Sequence, residues 1–92
     1  MQQAIYKVPN GKLLKIFLEQ ETGKITTVKI TGDFFIYPEE KIVLLEQALL
    51  GEDLSEEKIA EKLKSVVEKE NLELFGVDCE SIAKVVIMAS GS

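Results

Sequence analysis

The chain has no histidine, no arginine and no tryptophan, and a single cysteine, Cys79. Without histidine there is no ordinary imidazole base, no Ser-His or Cys-His nucleophile pair and no imidazole metal ligand. Without arginine there is no bidentate guanidinium clamp, so a bound phosphate would depend on lysines and backbone N–H groups. One cysteine forms no intramolecular disulfide and cannot by itself assemble a zinc or iron–sulfur site; it fits a reducing cytoplasm. Neither G-x-x-x-x-G-K-[ST] nor G-x-G-x-x-G occurs. No apolar run approaches the ~18 residues that would span a bilayer. The N-terminus lacks the charged and apolar regions of a signal peptide. These absences argue against a free-standing enzyme and against a membrane protein.

What is present describes one ordinary globular domain over residues 1–92, with 46% hydrophobic and 29% charged residues. Charge is uneven along it. Residues 1–31 hold five lysines and two glutamates, whereas the remainder holds six lysines and fourteen acids. That asymmetry either steers an anionic partner or is a solvated surface with lysines guarding sheet edges. A pI near 4.7 and the lack of an Arg/aromatic patch argue against a nucleic-acid partner.

The first third reads as strands. Residues 4–8 predict a short strand closed by the turn Pro9-Asn10-Gly11. Residues 12–20 alternate, with Leu14, Ile16 and Leu18 on one face and Leu13, Lys15, Phe17 and Glu19 on the other. Glu21-Thr22-Gly23-Lys24 supplies a hairpin turn. The return strand, 25–31, is expected to put Thr26, Val28 and Ile30 on one face and Ile25, Thr27, Lys29 and Thr31 on the other.

After Tyr37 the period changes. Pro38 with Glu39 and Glu40 suits a helix start, and Ile42, Leu45, Ala48 and Leu49 form its apolar stripe up to a capping Gly51. Ser55 caps a second helix carrying Ile59, Leu63, Val66 and Val67 as far as Asn71. Asp78 opens a third, with Val77 and Ile82 spaced as a hydrophobic staple and Ile82, Val85, Val86 and Ala89 as core candidates. Ser90-Gly91-Ser92 reads as a frayed tail. Strands followed by helices predict an α+β fold: an antiparallel sheet of about three strands with about three helices packed on one face.

Between the halves lies Ile30-Thr31-Gly32-Asp33-Phe34-Phe35, running into Ile36-Tyr37-Pro38. In an extended chain the two phenylalanines point to opposite sides, so one enters the core and the other is free for a partner. The alternative is a connection whose aromatics are both core.

Gly11-Lys12-Leu13-Leu14-Lys15-Ile16, Glu21-Thr22-Gly23-Lys24-Ile25 and the Gly32-Asp33-Phe34-Phe35 segment together resemble the C-terminal domain of lipoate–protein ligases. The likeness continues through Leu45-Glu46-Gln47-Ala48-Leu49-Leu50-Gly51 and Phe75-Gly76-Val77, so it covers about residues 9–88. The sequence departs from it at Ile36-Tyr37-Pro38, where many fused members have a glycine. Most bacterial members carry this domain behind a large catalytic domain. A domain standing alone is similar to the small subunit of the bipartite, archaeal-type ligase.

The resemblance implies an accessory role. A large subunit would hold ATP, Mg and lipoate and form lipoyl-AMP, with this chain required for that adenylation. Transfer to a lysine of an E2 or H protein would follow. No catalytic residue and no metal ligand carries over to this chain, which binds no cofactor alone. Gly32, Asp33, Phe34 and Phe35 become candidates for the partner interface, and Lys12 for an approach to phosphate. The family fold is related to SufE-like and iron–sulfur-scaffold proteins, which supplies a rival reading: a sulfur- or cluster-handling domain using Cys79. That cysteine falls in the first turn of a helix, where a thiol pKa can drop; the competing reading is a buried, inert thiol.

Overall fold

The computed structural model describes residues 2–91. Three strands, β1 (Gln2–Lys7), β2 (Leu13–Glu21) and β3 (Lys24–Gly32), form an antiparallel sheet in the order β1-β2-β3. β4 (Phe35–Tyr37) then leads through a 3-10 turn (Glu39–Lys41) into α1 (Ile42–Leu49). α2 (Glu56–Lys69), β5 (Glu73–Phe75) and α3 (Cys79–Ser90) complete the chain. The architecture is the expected α+β one, with a second, two-stranded antiparallel sheet made of β4 and β5. Strands of three residues are too short to show a period, and for that reason the sequence reading contained only the larger sheet.

Alternation builds the core. Leu14, Ile16 and Leu18 of β2 are completely buried, while Leu13 and Glu19 face outward. α3 lies across β1 and β2, α1 covers β3, and α2 packs on both helices. Ile59 and Leu63 of α2 meet Ile82, Ala83, Val85, Val86 and Ala89 of α3 in the same core cluster. Ser55 caps α2 by accepting a hydrogen bond from the Lys58 N–H, and Asp78 caps α3 by accepting from the Ser81 N–H at 2.7 Å. No helix among the described residues is long and apolar enough to cross a membrane.

Two expectations need correction. In β3 the buried residues are Ile25, Val28 and Ile30, and Thr26 is exposed. The register shifts between Glu19, opposite Thr27, and Gln20, opposite Ile25. This β-bulge absorbs one residue of β3 and turns Ile25 from the outer face to the core. The tail is also shorter than expected: Ser90 belongs to α3, and its carbonyl accepts from the side-chain amides of Gln2 and Gln20, each at 3.1 Å. Ser92 lies outside the described residues.

The open side of β3 is sealed by local contacts. The Ile30 N–H donates to the Glu46 carboxylate of α1 at 2.8 Å, and Ile25 exchanges backbone hydrogen bonds with Gly51 and Glu52. Nearby, Asp53 pairs with Lys24 of the hairpin at 2.6 Å and Lys58 of α2 at 2.9 Å. The hairpin turn itself holds Thr22 and Gly23 at positive φ, as a two-residue turn between twisted strands requires.

Candidate functional site

Three segments distant in sequence converge beside the two-stranded sheet. The Asp33 N–H donates to the Leu13 carbonyl at 3.0 Å, and the Lys12 N–H donates to the Gly76 carbonyl at 2.8 Å. The β2 entrance therefore holds both the exit of β3 and the lead into α3. The approach is close enough to demand glycine at its centre. Gly32 has φ +150°, and a Cβ there would collide with the Leu13 carbonyl oxygen.

Between these anchors, β4 and β5 pair with Phe35 opposite Phe75, Ile36 opposite Leu74 and Tyr37 opposite Glu73. The period of two then sorts the side chains. Ile36 is buried, and Phe34 and Leu74 pack half-buried against the core. Phe35, Tyr37 and Phe75 point the other way and are 66%, 67% and 52% exposed. Half of the six aromatic residues of the chain thus share one small outward face. An open hollow of about 210 Å³ borders it, lined among others by Gly32, Phe34, Phe35, Glu39 and Ile42.

The sequence candidates fall into place unequally. Phe34 is a packing residue and Phe35 an exposed one; Gly32 and Asp33 form the joint, with Asp33 held through its backbone and its carboxylate exposed. Lys12 is exposed, and its aliphatic stem lies against Gly76, where a Cβ would strike it. Tyr37 and Phe75 were not among the candidates. Phe75 could have been found by treating Glu73-Leu74-Phe75 as the pairing partner of Phe35-Ile36-Tyr37.

Cys79 sits at the start of α3 but is buried, and burial pushes its thiol up to about 11, with the Glu80 and Asp78 carboxylates adding to the shift. It is therefore protonated near neutral pH, the opposite of what a nucleophile or cluster ligand needs. Among the described residues no group of three or more His, Cys, Asp or Glu side chains is placed to hold a metal ion.

Comparison with known proteins agrees with the architecture. No curated protein matches the chain. A chain from the structural analysis of an archaeal lipoylation system superposes with a TM-score of 0.71 and 26% sequence identity. That system comprises a bi-partite lipoate protein ligase and its E2 lipoyl domain from Thermoplasma acidophilum. The match covers 91% of this chain and 96% of that one, so the two are of similar length. The family profile of the bacterial lipoate protein ligase C-terminus matches residues 5–86, and the chain belongs to that family.

Proposed function

We propose that this chain is the accessory subunit of a bipartite lipoate–protein ligase, acting in the cytoplasm. It docks on a large catalytic subunit that holds ATP, Mg2+ and lipoate. There the lipoate carboxylate attacks the α-phosphorus of ATP, forming lipoyl-AMP and releasing pyrophosphate. The amine of a lysine on an E2 lipoyl domain or an H protein then attacks the lipoyl carbonyl, forming an amide and releasing AMP. The observation that carries this reading is the end-to-end match to a chain of similar length from a bi-partite lipoate protein ligase system.

A domain without catalytic groups speeds a reaction by binding the catalytic subunit most tightly in its adenylation-competent arrangement. Phe35 serves as the apolar anchor, since large exposed aromatics dominate interface energetics. Gly32 and Asp33 set the position of that anchor by tying the β3 exit to Leu13. Lys12, whose stem lies against Gly76 next to Phe75, would approach an anionic group at the subunit junction.

The test is pyrophosphate release from ATP and lipoate. The chain alone should give none, the large subunit alone little, and the mixture a clear rate. Turnover by the chain alone, or no stimulation on mixing, would sink the reading. Cys79→Ser should leave the stimulation intact, because the thiol is buried and protonated. Its loss in a folded, partner-binding variant would revive the sulfur-handling alternative.

A further inference from the structure

The outward face of the β4–β5 ribbon is unlike the rest of the surface. Phe35 and Phe75 stand directly opposite each other, and Tyr37 lies two residues along the same face. Carboxylates surround them. Glu73 is opposite Tyr37 on that face, Glu39 and Glu40 follow Pro38, and Asp33 precedes the two phenylalanines. All four are exposed, and none is in an ion pair of the described residues. Lys41, the nearest cation in sequence, is already engaged with Glu70 at 3.5 Å. Lys12 borders the patch only on the Gly76 side.

An exposed aromatic cluster with a polar rim is the anatomy of a protein-binding surface. The rim decides the occupant. Two copies meeting face to face on this patch would oppose carboxylate to carboxylate in a chain of net charge −5. Nucleic acid is repelled for the same reason. Accepting the accessory-subunit reading, we infer that Phe35, Tyr37 and Phe75 insert into an apolar socket of the large catalytic subunit. That socket is bordered by lysine or arginine side chains that meet Asp33, Glu39, Glu40 and Glu73.

The inference is tested by titrating the full chain against the large subunit, with melting curves and sedimentation run on every variant. Phe35→Ser with Phe75→Ser should weaken binding by at least about 30-fold while leaving a folded domain. Glu39→Lys with Glu73→Lys should weaken it several-fold, by an amount that shrinks as salt is raised. Leu50→Ser, which removes an exposed leucine at the end of α1, should change nothing. The charge variant keeps every aromatic in place and remains decisive should the aromatic variant unfold. Wild-type affinity in both folded variants overturns the inference but leaves the accessory role standing. Self-association of the wild type that the same variants abolish also overturns it. A wild-type chain that fails to bind the large subunit overturns the accessory role, and the inference with it.

Discussion

In the three-stranded sheet, alternate residues of β2 vanish completely beneath helices, whereas in the β4–β5 ribbon only the middle residue of each strand turns inward. Both regions obey the same two-residue period. They differ in what covers them. Leu14, Ile16 and Leu18 lie beneath α3, but Phe35, Tyr37 and Phe75 face away from the core and are left exposed by the described elements. The contrast separates two placements of large apolar side chains: those of the body hold the domain together, and those of the ribbon stay exposed.

The sharpest way to break that contrast is to truncate one residue of each kind. Ile16→Ala opens a cavity in a fully buried position and should destabilise the domain by about 2–5 kcal/mol, a large part of a small domain's margin. Phe35→Ala should leave the melting temperature almost unchanged. Denaturant titration of both variants checks this. Equal destabilisation would make the ribbon part of the core and remove the physical basis for a docking face.

A second substitution attacks the joint between the two regions. Gly32→Ala places a methyl group against the Leu13 carbonyl at a backbone angle that alanine avoids. The Asp33–Leu13 hydrogen bond fixes where β4 begins, so relief of that clash must displace the ribbon. The expected loss is about 1–3 kcal/mol, with faster amide exchange in β4 and β5 before the rest of the domain. Uniform exchange across both sheets would show that body and ribbon open as one unit.

The sequence carried the body of this contrast better than the ribbon. Leu14, Ile16 and Leu18 are legible because nine consecutive residues display the period, and Ser55 and Asp78 because capping follows local chemistry. Ile25 was misplaced because a bulge interrupts alternation without leaving a glycine or proline to mark it. At the ribbon, either phenylalanine could have faced outward. The choice is settled by Ile36: once it is buried, Phe34 follows it inward and Phe35 and Tyr37 must point out. Phe75 joins them only through pairing with Phe35, 40 positions earlier in the chain, which no local pattern records.

The smallest effect is expected at the hairpin tip, where the body is held from outside. Asp53 lies between Lys24 and Lys58, and their hydrogen bonds and charge lower its pKa from 3.8 to about 2. A carboxyl more acidic in the folded chain than in the unfolded one adds stability once the pH exceeds its unfolded value. That contribution is complete above about pH 4, fades as the pH falls from 3.8 toward 2, and is gone where both states are protonated. Both ion pairs are exposed, so water and salt screen them and the gain is slight. Asp53→Asn should therefore lower the melting temperature a little at neutral pH and low salt. The gap from wild type should shrink to a small remainder on acidification to pH 2, where folded Asp53 is half protonated, and close on addition of 1 M salt. A gap undiminished at pH 2 would assign the role of Asp53 to its neutral hydrogen bonds rather than its charge. The clasp would then resemble the backbone ties at Ile25, and the hairpin tip would belong with the body's interior rather than its solvated surface.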